Sequence, residues 1–324
     1  MNEKELIEMC NRKKAYKGKS IKLYWTSELY SFGKYIRKYG YYPMILPLAV
    51  YSDHSGPSFY RSLQQHELET DAPVFLSHSK FKVEEYKRLT GNKSYIMYSP
   101  AVFYRKKNNI KQSQNANGTV AFPVHSLPTM DDKFCIDEYC IQLKKLPEKY
   151  HPIKICLHMH DINRKNYAIY QKNGFEVITA GNTSDYRFIQ RFYKIISNAK
   201  YVTSNDIGTV TLYALEMGVP FFVYGKRTIS INKYDKNFPI GEITTPDHPL
   251  YSRLYNFFIM DDKFKFNRIT DSLYKEIEEF LGINDGIRRM RMSLVLWYSL
   301  FSWLFSFRSI NYLKKFNSLL SGKK

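Results

Sequence analysis

Apolar and polar positions alternate in blocks along this chain. Short runs rich in apolar and β-branched residues occur at 20–24, 42–50, 73–77, 94–98, 119–124, 153–157, 175–179, 201–203 and 219–224. They read as strands, and several are apolar almost throughout, as buried parallel strands are. Between them lie segments that read as helices, at 27–39, 58–69, 80–89, 131–146, 164–173, 185–199 and 208–217. A short polar helix and a basic connector over 1–18 precede them, and another helix is predicted near 272–281. Strand and helix in alternation predict a parallel α/β protein.

Residues 105–118 (RKKNNIKQSQNANG) interrupt the rhythm with a polar, basic, apolar-poor stretch. A linker has this composition. It divides the chain into an N-terminal unit, 1–110, and a second unit, 111–285, with a tail at 286–324. At 324 residues the chain can build two such units, each with its own core.

The segment 201–225 (YVTSNDIGTVTLYALEMGVPFFVYG) organises the second unit. It reads as strand, polar turn, helix, glycine and strand, with Gly218 at the helix end and Pro220 just beyond it. Ser204, Asn205, Gly208 and Thr209 surround the helix start. Free amides, hydroxyls and the positive end of the helix dipole there suit a phosphate, or Ser204 and Asn205 simply cap the helix.

Ligands of open parallel sheets bind at the carboxyl ends of strands, so the strand-end loops carry the candidate chemistry. The first is Asp53-His54-Ser55-Gly56, where a carboxylate beside an imidazole can orient a general base. The second contains His125 and Ser126. The third, Cys156-Leu157-His158-Met159-His160-Asp161, puts His158 and His160 on one side of an extended strand. It also invites a zinc reading, but no further ligand lies at a suitable spacing. The fourth contains Asn182, a candidate contact to a base or ribose, or part of a helix-entry turn.

Ser204, Gly208, Thr209, Gly218 and Pro220 resemble the donor-nucleotide segment of GT-B glycosyltransferases, especially bacterial capsule and lipopolysaccharide enzymes. The family glutamate that binds the donor ribose falls at Tyr213, with Glu216 three residues away. The resemblance implies two Rossmann-like parallel-sheet domains facing a cleft, the first on the acceptor side and the second binding a nucleotide-sugar. It implies that Asp53 or His54 deprotonates the acceptor. His125, Ser126, His158, His160, Asn182, Ser204, Asn205, Gly208 and Thr209 would bind the donor. It implies no cofactor or metal beyond a UDP- or CMP-linked co-substrate, because GT-B enzymes stabilise phosphate with side chains and helix N-termini. No P-loop, GxSxG, GxGxxG or Asp-x-Asp pattern is present.

Charge narrows the partners. The formal net charge is +19, so anions are expected: nucleotide phosphates, anionic lipid or glycan. The basic residues are spread along the chain and no nucleic-acid motif occurs, so nucleic acid is not expected. Cys10, Cys135, Cys140 and Cys156 form no CxxC pair and read as reduced thiols. The first residues show no apolar signal core, which predicts a cytoplasmic body. Residues 292–307 carry no charge but fall short of the about 20 residues that span a bilayer. From Gly286 onward there are eight basic residues and no acidic one. The tail reads as a basic amphipathic helix, with Ser299, Ser302, Ser306 and Ser309 on one face and Trp297 and Trp303 as anchors. It lies on the inner face of the cell membrane, or it packs back on the first domain. A glycosyltransferase making surface polysaccharide or a lipid-linked glycan is the leading expectation. A UDP-sugar 2-epimerase-like enzyme and a non-catalytic binder of anionic glycan or nucleic acid are the alternatives.

Overall fold

The computed structural model describes residues 1–53, 58–125, 128–243 and 246–306. The chain opens with α1 (Glu3–Cys10), capped by reciprocal bonds between Asn2 and Glu5. No strand forms at 20–24. A 3₁₀ turn (Thr26–Ser31) and α2 (Phe32–Tyr39) replace the single helix expected over 27–39. Tertiary bonds cause the break: the Tyr30 amide donates to Thr183 O at 2.6 Å and the Ser31 hydroxyl to Asp185 O at 3.1 Å, with both residues left-handed.

Strand β1 (Val50–Ser52) is all that remains of the 42–50 run. Pro43 and Pro47 cannot donate to a ladder, and Leu46 O and Pro47 O accept bonds from Arg37 and Tyr42 instead. Then come α3 (Gln65–Leu68), β2 (Val74–Ser77), α4 (Lys80–Thr90), β3 (Lys93–Ile96) and α5 (Pro100–Lys107). Helix α5 was not expected. Ser99 caps it and Pro100 occupies its first turn, where a missing N–H costs nothing. The three strands form a parallel sheet in the order β1-β2-β3.

The second half runs β4 (Thr119–Ala121), β5 (Met130–Lys133), α6 (Ile136–Lys144), β6 (Ile153–Cys156), α7 (Met159–Asn163) and α8 (Tyr167–Lys172). It continues through β7 (Glu176–Ile178), α9 (Phe188–Ser197), β8 (Tyr201–Ser204), α10 (Thr209–Glu216) and β9 (Phe221–Val223). Strands β10 (Ile229–Asn232) and β11 (Gly241–Glu242) follow, then α11 (Pro249–Phe258), α12 (Asp271–Phe280) and α13 (Arg289–Leu304). Five strands form a parallel sheet in the order β7-β6-β4-β8-β9. Counted within this unit the order is 3-2-1-4-5, a Rossmann-like arrangement that reverses between β4 and β8. Strands β5, β10 and β11 form a small antiparallel sheet absent from the expected pattern, and β5 replaces the first turn of the helix expected at 131–146.

The fold is thus α/β with two Rossmann-like parallel sheets. Each has a cluster of its own on one face, and they share a core between them. One buried cluster runs from Val50, Val74 and Leu76 of the first sheet to Val120, Val202 and Phe221 of the second, by way of α2, α5, α9 and α10. A bidentate ion pair crosses the junction: Arg105 on α5 grips Glu216 on α10 at 2.7 and 2.5 Å, with the carboxylate buried. Helix α1 belongs to the second sheet, not the first, because Leu6 and Cys10 enter that sheet's other core. Cys140 and Cys156 are also buried, whereas Cys135 is exposed.

The chain finally returns to the first half. The Ile287 amide donates to Ile96 O, and α13 buries Met292, Val295, Leu296, Ser299, Leu300 and Trp303. Ser299 donates to Ala49 O, so Ser299 and the buried Trp303 turn toward the protein, while Trp297 packs on Tyr42 half-buried at the edge of that face. Among the described residues no helix is long and apolar enough to cross a membrane.

Candidate functional site

The site is built at the carboxyl ends of β4, β6 and β8, where the second sheet reverses its strand order. Crevices form at such switch points because neighbouring connections leave on opposite faces. Leaving β4, the Phe122 amide donates to Thr203 O and the Val124 amide to Asn205 Oδ1 at 2.8 Å. Asn205 is fully buried, and its Nδ2 donates to Lys226 O and to Thr228 Oγ1 at 3.1 and 2.9 Å. One amide side chain therefore staples three loops together.

That staple sets His125 against the loop after β6. The His125 and His158 rings stack at 4.3 Å, His158 and His160 lie 4.8 Å apart, and His125 and His160 6.5 Å apart. His158 and His160 are not on a strand. The chain turns into α7 at once, and His158 Nδ1 caps it by accepting from the His160 amide. His158 Nε2 is closed off from solvent and pairs with no described residue. Burial, and then the neighbouring His125 and His160, hold the His158 imidazole well below the usual histidine range. Burial and then His125 lower His160 as well. Two neutral imidazoles sit here at pH 7, one with an unmatched ring nitrogen.

Beside them the β8–α10 turn presents the helix start. Ser204 is buried and its Oγ accepts from the Asp206 amide at 3.3 Å, while the Gly208 amide donates to Thr211 Oγ1. Gly208 and Thr209 are half-exposed, and a Cβ at Gly208 would meet nothing within 4 Å. First-turn amides lack intrahelical acceptors and are available to an anion. Asp206 accepts from Arg227 Nε at 2.8 Å and from the Tyr251 hydroxyl at 2.6 Å. A cavity of about 180 Å³ lies along the same loops, lined by Val124, Leu157, Asp161, Arg164, Tyr170 and Thr228 but by none of the three histidines.

Other expected donor residues lie differently. Asn182 is buried and tied to α1, its Nδ2 donating to Cys10 O at 2.8 Å. Tyr213 is buried against Phe192 and Tyr193, and Arg105 pins Glu216, so both face the core. His54 and Ser126 lie outside the described residues.

In the first sheet, Asp53 follows β1 and is buried. Its imidazole neighbour is His78, which follows β2: the His78 amide donates to Asp53 Oδ2 at 2.9 Å and His78 Nδ1 lies 3.6 Å from the same oxygen. Lys82 Nζ stands 3.9 Å from Asp53 Oδ1 and 2.9 Å from Glu67. Burial alone would raise Asp53, but His78 and Lys82 outweigh it and hold the carboxylate below its ordinary range. Burial pushes Glu67 the other way, up to about 7. The Ser77-His78-Ser79 break after an apolar run was the available signal for His78. Lys82 and Glu67 gave none, since charges on short helices read as solvated.

The two strand-end regions meet. Arg61 and His248 amides donate to Asp247 Oδ1 and Phe59 O. Phe59 packs on Tyr251, whose hydroxyl reaches Asp206. Among the described residues no group of His, Cys, Asp and Glu is arranged to hold a metal ion.

No protein-family model matches the chain, and no curated protein matches it. Among solved structures it is similar to Anabaena HepE in complex with UDP and glucose, at 14% identity over 79% of this chain and 71% of that one, TM-score 0.34. It is similar to the Neisseria meningitidis UDP-GlcNAc 2-epimerase bound to UDP-GlcNAc, at 12% identity over 84% and 72%, TM-score 0.36. The wall teichoic acid polymerase TagF matches at 11% identity over 94% of both chains, TM-score 0.34. At these scores the likenesses add nothing to the topology already described.

Proposed function

We propose that the protein is a glycosyltransferase of GT-B type, moving a sugar from a UDP- or CMP-linked donor to a surface polysaccharide or lipid-linked glycan. The observation that carries this is the gathering of His125, His158 and His160 at the switch point of the second sheet, beside the start of α10. A diphosphate or phosphate leaving group would take hydrogen bonds from the imidazoles and from the Thr209 amide in the first turn of α10. Negative charge arriving there would draw a proton onto a histidine held neutral until then. The cavity along the same loops is smaller than the roughly 300 Å³ of a typical small-molecule site. It suits part of a nucleotide, with Asp161 and Arg164 as polar contacts. Asp53, an ionised and weakly basic carboxylate, would orient the acceptor-side loop and His78, leaving proton removal to a better base such as His54. A peripheral position at an anionic membrane, through 286–324, would bring a lipid-linked acceptor within reach.

The test is a thermal-shift screen against UDP, GDP, CMP, CDP and their sugar conjugates. A ligand at 100 times its dissociation constant stabilises by about 2.7 kcal/mol. A response to one nucleotide that is lost in His158→Ala supports the donor site, and sugar transfer or donor hydrolysis separates the transferase from an epimerase and from a mere binder. No response to any nucleotide sinks it.

A further inference from the structure

We propose that the outward face of α13, with Tyr41 beside its start, is a docking surface for an anionic lipid leaflet. It deepens the peripheral position proposed above and needs nothing from the nucleotide site. Helix α13 has two apolar faces and only one is covered. Met290, Leu294, Tyr298, Phe301 and Phe305 are between 44% and 87% exposed. At about 100° per residue they form one stripe, opposite Met292, Leu296, Ser299 and Trp303. The stripe is continuous in its rings, with Phe301 stacked 5.9 Å from Trp297 and 6.5 Å from Phe305. Tyr41, 60% exposed, lies beside the helix start, 3.8 Å beneath the Arg289 guanidinium.

Cations frame this surface. Lys93 Nζ sits 3.7 Å over the Tyr298 ring and Arg291 lies over Tyr95. Among the described residues no carboxylate pairs with Lys93, Arg288, Arg289 or Arg291. The chain leaves α13 beside Phe305 and goes on with Arg308, Lys314, Lys315, Lys323, Lys324 and no acid. An apolar stripe framed by unpaired cations complements acyl chains below and lipid phosphates around. A second copy is a poor fit, because two chains that each carry a net charge of +19 repel. The stripe lies flat: its helix is too short to span a bilayer. The inserting residues are therefore Leu294, Tyr298, Phe301 and Phe305, with Trp297 half-buried at the edge of the stripe and Trp303 turned inward.

The experiment is co-sedimentation of the full chain with phosphatidylcholine vesicles, with and without phosphatidylglycerol, at low and high salt. Binding should be at least tenfold tighter to the anionic vesicles and weaken with salt. Leu294→Glu with Phe301→Glu should reduce it at least tenfold, and Arg288→Glu with Arg291→Glu should also weaken it. Unchanged melting temperatures and nucleotide responses in these variants would show that only the docking surface was touched. The inference is overturned if the full chain ignores anionic vesicles or if the double glutamate variant binds as the parent does. It is equally overturned if the protein is a dimer that those glutamates split, since a second copy would then cover the face.

Discussion

The imidazoles of His125 and His158, on loops after different strands, stack 4.3 Å apart with their planes 24° from parallel. Burial, and then the His125 ring stacked on it, disfavours a proton on His158, so His158 carries a pH dependence. In the unfolded chain a histidine takes up its proton near pH 6.5. In the folded protein His158 and His160 resist to lower pH. The unfolded state therefore binds more protons below about 6.5. Stability should fall as pH drops from 7.5 to 5.5, by up to about 1.4 kcal/mol per pH unit for each histidine held neutral. Urea midpoints across this range check it, and His158→Gln should flatten the slope.

An anionic nucleotide should reverse the preference. Phosphate beside the imidazoles favours their charged form, so binding should take up a proton and tighten between pH 8 and pH 6.5. Calorimetry in buffers of different ionisation enthalpy reads the uptake directly. Equal heats in all buffers would place the phosphate away from these rings.

From a fully buried position, Asn205 makes three bonds that tie its own loop to two others. Asn205→Leu removes all of them; the Val124 amide and Lys226 carbonyl are only partly buried, so each lost bond costs about 0.5–1.5 kcal/mol. The expected result is a protein that is folded but less stable, with a weaker nucleotide response because the His125 loop has lost its anchor. A variant with full stability would mean the loops hold without it.

Arg105 and Glu216 should behave as a structural pair. Glu216→Gln strands the Arg105 charge and should cost about 3–5 kcal/mol, whereas Arg105→Ala should cost less because Lys106 Nζ stands 3.8 Å from Glu216. Replacing both by Met and Leu should recover much of that loss. Denaturant titration checks the cycle. If Glu216 bound a donor ribose, the double variant would regain stability without nucleotide affinity. The observed geometry predicts that both return.

Lys82 holds two buried carboxylates, Asp53 and Glu67. Lys82→Met should cost about 3–5 kcal/mol. Glu67→Gln is milder and has a pH signature. Burial raises Glu67 to about 7, so the unfolded chain ionises it first and the parent loses stability as pH rises from about 4.5 to 7. The variant does not, so its deficit should shrink over that window.

The periodic blocks made the second sheet legible, since each of its strands is a short apolar run with a polar break at its end. They also marked the loops carrying His125, His158 and His160. What stayed hidden was decided at a distance. Tyr30 and Ser31 look helical and are pulled into left-handed turns by carbonyls of Thr183 and Asp185. Asp53 looked like the partner of its sequence neighbour, yet the imidazole it meets among the described residues belongs to His78 on the next strand. Glu216 looked available to a ligand until Arg105, on a helix masked by a basic stretch, was placed against it. The serine spacing of the last helix was visible, but which face turned inward depended on Ala49 offering a carbonyl to Ser299.

Helix α1 finds its place 172 residues downstream, where Asn182 donates to the carbonyl of Cys10. A ribosome adding roughly 5–20 residues per second needs on the order of ten seconds or more to make that partner. Throughout that interval Leu6 and Cys10 have no surface of their own to cover them. A segment made early thus waits to settle until β4, β6 and β7 exist, with β8 and β9 still to come.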